Sequence, residues 1–284
     1  ALRDHPEVLA VLFEGRCHTP KAQGYYRLFQ QGEHDALLFK SFLGSRVFNL
    51  SAENRQKAGH GEVTEGATVI MPLIDYFNHR FAAEGYSVHD VPSPVSMRVF
   101  GQPDPETGEL FVRYNAYDPL DTYLFYGFVD TAAPWLSSVP LSLTVNGRTL
   151  SVEAKGGTAK GKLAPALRDL RLFMPQITHQ DELGITLNKL VIPGPRAPRA
   201  LQRVLAPFVA RLGVAQAEMP EAIARLEESI LAHNEAYWAR LADSAQALGD
   251  DHPVHALCQH ARAHLADYRQ FRPGLSARAH GLGS

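Results

Sequence analysis

The stretch Met71-Pro72-Leu73-Ile74-Asp75-Tyr76-Phe77-Asn78-His79 places a carboxylate, an amide and an imidazole within five residues, beside two aromatics and after an apolar run. Polar groups next to a core must find partners, so these residues either hold a ligand or cap a turn. Asp75 suits the second role, as an Asx-type cap. A second stretch, Phe111 to Asp130, carries Tyr114, Tyr117, Tyr123 and Tyr126 together with Phe111, Phe125 and Phe128. Rings at that density make plain core, or a pocket whose π-faces and phenolic oxygens receive a cationic or methylated amine. Tyr117, Tyr123 and the two tryptophans read as core. A third group, His252, His255, Cys258, His260 and His264, has metal-ligating side chains, but one helix cannot gather them. At about 100° per residue, His260 and His264 fall on one flank of the apolar stripe and Cys258 and His255 on the other. A solvated helix flank without a metal is the expectation.

The elements that would position these groups follow from pattern. Asp4-His5-Pro6 is a helix start, with Val8, Leu9, Leu12 and Phe13 on one face. Asp35 to Leu43 has an apolar stripe at helical spacing, and the glycine-bearing run 51–66 reads as a loop. Val69-Ile70-Met71 is a short apolar strand or buried segment stopped by Pro72. The alternating runs Val95–Phe100 and Leu110–Tyr114, with turn chemistry between them, predict a hairpin. Leu141–Val145 and Arg148–Val152 predict another, because Asn146-Gly147 supplies the two positive-φ residues of a tight turn. Gly156-Gly157-Thr158-Ala159-Lys160-Gly161-Lys162 lacks the spacing of a phosphate-binding loop and reads as a linker. Beyond the Pro193-Gly194-Pro195 break the pattern is helical. Pro220 opens one helix, and Val254, Leu257, Ala261, Leu265 and Tyr268 form the stripe of a last helix from about Pro253 to Phe271.

Composition sets the outer bounds. The chain has 284 residues, 45% of them hydrophobic, and Lys+Arg 28 against Asp+Glu 30 leaves a net charge of −2. That size suits two globular domains, and the charge lacks the basic excess on which nucleic-acid binders rely. No apolar run approaches a membrane span of roughly 18 residues. The two cysteines, Cys17 and Cys258, are too few for a disulfide framework or a cysteine-based zinc site. Free buried thiols in a reducing, cytoplasmic setting are expected. No Gly-x-Ser-x-Gly elbow supports a hydrolase.

Taken together, the two chemistry-bearing stretches resemble the SET-domain protein methyltransferases, in the branch typified by the Rubisco large-subunit lysine methyltransferase. The family's P-x-x-D-x-x-N-H motif is matched by Pro72, Asp75, Asn78 and His79, and its Y-G-F by Tyr126-Gly127-Phe128. Ser45-Arg46-Val47-Phe48 resembles its S-R-x-F, at the end of a helical insertion. The resemblance implies an α+β, SET-like fold of short sheets over residues 1–155, with residues 1–45 as the helical insertion. A mostly helical substrate-recognition domain over residues 156–284 would follow. The family's N-terminal Gly-x-Gly β segment has no counterpart before residue 45.

The implied activity is methyl transfer from S-adenosylmethionine to a lysine side chain of a protein bound through the C-terminal helical domain. Nucleic acid, membrane and metal have no part in it. By resemblance Tyr126 is the catalytic tyrosine, Tyr114 lines the amine pocket, and Asn78, His79 and Arg46 bind the donor. Lysine is mostly protonated near neutrality, and an apolar aromatic channel would favour its neutral, nucleophilic form by desolvation. Two alternatives stand beside this one: a SET-like protein-binding scaffold impaired in catalysis, and a methyltransferase acting on histidine or another amine.

Overall fold

The computed structural model describes residues 2–50, 67–70, 77–85, 87–89, 96–98, 103–155 and 165–272. Among them the chain runs through α1 (Pro6–Glu14), α2 (Pro20–Gln30), α3 (His34–Arg46), β1 (Val47–Leu50), β2 (Ala67–Ile70), β3 (Asn78–His79) and β4 (Ser87–His89). It continues with β5 (Ser96–Arg98), β6 (Phe111–Val112), α4 (Pro119–Tyr126), β7 (Trp135–Ser137), β8 (Leu141–Val145) and β9 (Arg148–Val152). Then come β10 (Ile177–Gln180), β11 (Gly184–Leu187), β12 (Val191–Pro193), α5 (Ala200–Arg211), α6 (Met219–Ala245) and α7 (Pro253–Phe271). This is a mixed α+β chain with small sheets and a helical C-terminal region. Pro72 and Asp75, the 51–66 loop, the 156–162 linker and the tail from Ser276 lie outside the described residues.

Two compact units share the chain: Leu28–Ala133, and Ala1–Arg27 together with Pro134–Ser284. This division does not coincide with one at residue 155, since the 141–152 hairpin belongs with the C-terminal helices.

In the 28–133 unit the strands are short. β1 pairs antiparallel with β2, β4 antiparallel with β5, and β3 parallel with β6, with His79 opposite Val112. The hairpin expected from residues 95–114 is therefore corrected: its two runs pair with β4 and β3, not with each other. A helix, α4, occupies a stretch that the aromatic spacing left unassigned. Its start is a capping box, in which the Asp118 side chain accepts the Asp121 N–H at 2.9 Å and Pro119 takes the first turn. Its end is Gly127, whose φ of 82° is the left-handed conformation that a glycine cap adopts without steric cost. α3 forms where the periodicity predicts it, but its stripe is not core. Leu38, Phe39 and Phe42 are exposed.

The other unit is built on aliphatic burial. β8 and β9 form the expected tight hairpin, with φ of 50° at Asn146 and 71° at Gly147. The sheet order is β10-β11-β9-β8, with β9 and β11 parallel, and β7 pairs separately with β12. Strands thus run through residues 177–193, where a mostly helical region was expected. α6 is the central helix and packs against α1, α5 and α7. Leu12, Trp238, Leu241, Val254, Leu257, Ala261, Leu265 and Tyr268 are all buried in this unit, so the last helical stripe lies where its spacing predicts. Its flank is less solvated than expected. Cys258 and His264 are buried too, and the His264 ring nitrogen Nε2 sits 3.2 Å from the Ile192 carbonyl oxygen. The other thiol, Cys17, expected to be buried, is exposed.

Candidate functional site

Within the 28–133 unit, three separated stretches of chain meet around His79. The register of β3 on β6 sets the ring beside the chain that leaves β6. The Tyr114 N–H donates to His79 Nδ1 at 3.0 Å, and the Tyr114 and His79 ring centres lie 5.1 Å apart. The Tyr114 hydroxyl donates to the Phe77 carbonyl at 2.7 Å, closing a second tie between the same two segments. On its other side His79 Nε2 lies 2.8 Å from Asp130 Oδ2, and the imidazole is fully buried.

The geometry explains Tyr126-Gly127-Phe128 locally. Tyr126 ends α4, Gly127 turns the chain through its left-handed φ, and Phe128 folds back. The Phe128 ring centre then lies 6.2 Å from that of Tyr126 and 5.8 Å from that of His79. The Tyr126 ring also sits 4.8 Å from Tyr114 and 5.7 Å from Tyr117. These separations are those of favourable tilted ring pairs. Tyr117, read from sequence as core, is half-buried and belongs to this cluster.

Charge surrounds the rings. α3 contacts α4, and Arg46, the last residue of α3, is near enough for its charge to act on the Tyr114 phenol. Burial pushes the Tyr114 phenol above its ordinary pKa, and the Glu109 carboxylate adds to this while Arg46 opposes it. The Arg46 guanidinium also covers the Phe42 ring at 4.8 Å. Asn78, next to His79 on β3, points the other way, as strand alternation requires. It is exposed, and its amide donates to the Glu109 carboxylate. Arg80 pairs with Asp104 at 2.7 Å and lies 3.8 Å over the Phe111 ring.

So His79, Tyr114 and Tyr126 share one aromatic cluster, Arg46 acts on it through charge, and Asn78 stands at its edge with its side chain engaged by Glu109. Asp130 and Glu109 carried no signal in the sequence, because each becomes a partner only through β-pairing and the Gly127 turn. Asp130 is the more informative. Burial raises its carboxyl, but the favourable electrostatics of the nearby His79 and of the Ala132 and Phe81 N–H groups outweigh it, so its pKa lies below the usual Asp value.

Among the described residues no group of three or more His, Cys, Asp and Glu is placed to hold a metal, and no helix is long and apolar enough to cross a membrane. Comparison with protein-family models, with curated proteins and with solved structures finds no match.

Proposed function

We propose that the 28–133 unit carries a methyl-transfer site, with S-adenosylmethionine as donor and a protein lysine as acceptor. The observation that carries this reading is the cluster of Tyr114, Tyr117, Tyr126 and Phe128 packed against the buried His79. Those rings come from the motif-bearing segments, and their chemistry suits a cationic amine and a sulfonium. Of the donor set, the Arg46 guanidinium suits the carboxylate of an amino-acid moiety, whereas the Asn78 amide lies on the other side of β3 and is already engaged by Glu109.

When bound, the donor supplies an electrophilic methyl group on a sulfonium. The chain's own work is then positioning and desolvation. The aromatic wall would hold a lysine Nζ in line and disfavour its protonated form, so that its lone pair is available. The amine proton leaves to water, the nitrogen forms the new bond to carbon, and the carbon–sulfur electron pair stays with sulfur. The Tyr126 hydroxyl would orient the reacting groups. Tyr114, whose hydroxyl proton is already given to Phe77, would present only its oxygen lone pairs and its π-face.

Calorimetric titration with S-adenosylmethionine, followed by transfer of labelled methyl to proteins of a lysate, tests the reading. Micromolar donor binding with transfer supports it. Protein binding without donor binding leaves the scaffold reading, and label recovered on histidine moves the acceptor class.

A further inference from the structure

His79 is caught between two partners, and they differ in what they require of it. Toward Tyr114, Nδ1 faces an N–H donor at 3.0 Å, so Nδ1 must present a lone pair. The ring proton of the neutral imidazole then belongs on Nε2, which faces Asp130 Oδ2 at 2.8 Å. That contact is an ion-pair approach rather than a well-formed hydrogen bond, and neither of these two buried atoms has a hydrogen-bond partner among the described residues. Buried polar atoms that meet only each other are each other's partners. The second carboxylate oxygen, Oδ1, is taken by the Ala132 N–H at 2.9 Å. Asp130 is therefore oriented by its own backbone turn and turns one fixed acceptor toward the imidazole.

We infer that Asp130 is a positioning residue: it selects the Nε2–H tautomer of His79 and thereby holds Tyr114 in place on the aromatic cluster. The chain of ties is Asp130 Oδ2 to His79 Nε2–H, then His79 Nδ1 to Tyr114 N–H, then the Tyr114 ring to the Tyr126 ring at a centre distance of 4.8 Å. A wrong tautomer would set two N–H donors against each other at Nδ1 and break the second tie. The same logic governs an aspartate that orients a catalytic histidine in hydrolases, where the amide replacement preserves shape and ruins the tautomer.

The test compares two replacements. In Asp130→Asn the side-chain oxygen keeps the Ala132 N–H, so the amide NH₂ faces Nε2 and forces the proton to Nδ1. In Asp130→Ala no donor is introduced, and the ring is free to keep its proton on Nε2. The expected order is that the isosteric Asn is the more damaging. In nitrogen-resolved NMR of the chain without donor, the parent should show a protonated Nε2 and a bare Nδ1 at His79. The Asn variant should show the reverse, together with faster hydrogen exchange at the Tyr114 amide. A role in packing alone predicts the opposite order, because Ala leaves the larger void. Ala equal to or worse than Asn, or an Asn variant that keeps Nε2–H, overturns the proposal. Failure of the Asn variant alone to fold is the same expected order read in stability, and supports it.

The activity arm rests on the methyl-transfer reading. There kcat of the Asn variant should fall about 10–100-fold, the size of loss known when the partner orienting a metal-ligating histidine is removed. A parent that transfers no methyl removes that reading, while the tautomer measurement still decides the role of Asp130.

Discussion

Among their described residues, the two compact units show different kinds of tie. The unit formed by Ala1–Arg27 and Pro134–Ser284 buries long aliphatic and aromatic side chains along three C-terminal helices and α1. In the Leu28–Ala133 unit, Val112, Pro119, Leu120, Phe125 and Ala133 are the buried apolar side chains among the described residues. There the ties are directional: Asp118 to Asp121, Tyr114 to Phe77, Arg80 to Asp104, and His79 between Tyr114 and Asp130. Apolar burial is non-directional and scales with area, so it fixes a scaffold without aiming any group. Hydrogen bonds contribute little net stability each, yet they fix orientation. A region held by such ties is suited to aiming a few side chains.

The contrast is sharpest where one substitution touches only one kind of force. Trp238 is fully buried on α6, and Trp238→Ala should destabilise its unit by about 3–5 kcal/mol, read as a lower urea midpoint. A cost under about 1 kcal/mol would break the picture of that unit as burial-dominated. Tyr126→Phe keeps the ring and deletes one oxygen. It should leave the midpoint in place and reduce methyl transfer about 10²–10³-fold, roughly 3–4 kcal/mol of barrier. Its control is Tyr123→Phe, expected to be silent in turnover. Burial pushes the Tyr123 phenol up to about 12, as befits a ring facing the interior. Equal rates for Tyr126→Phe and the parent would remove the catalytic assignment.

Smaller effects follow from local geometry. Gly127 adopts φ of 82° with open space around it, so Gly127→Ala meets no clash and costs only backbone strain, about 1–2 kcal/mol. Because Phe128 is placed by that turn, the variant should also lose transfer activity beyond its loss of stability. The smallest effect is acid sensitivity. The Arg80 hydrogen bond, helped by the Thr107 and Glu106 N–H groups, lowers Asp104 from 3.8 to about 2. A depressed carboxyl stabilises the folded form above its unfolded pKa, and that contribution disappears as pH falls from about 4 to about 2. Asp104→Asn should flatten the slope of denaturation midpoint against pH in that window, and an unchanged slope would remove Asp104 as its source.

What could be read from the chain divides along the same line. The Asn146-Gly147 hairpin and the Pro253–Phe271 helix were legible because their signals are local: two positive-φ residues in one case, a 3- and 4-residue apolar rhythm in the other. α4 was obscured because its aromatic residues obey no amphipathic rhythm, although Asp118-Pro119-x-Asp121 and Gly127 mark its two ends. The strand partners of Phe111–Val112 and Ser96–Arg98 were misassigned because two alternating runs around a turn also fit non-local pairing. The buried His264 depends on a carbonyl 72 residues away, at Ile192, which no helical wheel contains. At the site, His79, Tyr114 and Tyr126 were named from motif resemblance. Asp130 was not, since its role exists only once β3, β6 and the Gly127 turn are assembled.

The discontinuity of the burial-dominated unit has a consequence in time. α1 packs on α6, and the Tyr237 hydroxyl donates to the Val11 carbonyl at 3.1 Å. During synthesis, α1 leaves the ribosome long before Met219–Ala245 exists. At about 5–20 residues per second, its docking surface is missing for on the order of ten to forty seconds. In that interval Val8, Leu12 and Phe13 have no native cover from α6 and are open to chaperones or to a wrong neighbour. The 28–133 segment is continuous and can complete its own pairings during the wait. The nascent chain therefore completes the 28–133 segment before α6 exists to cover α1.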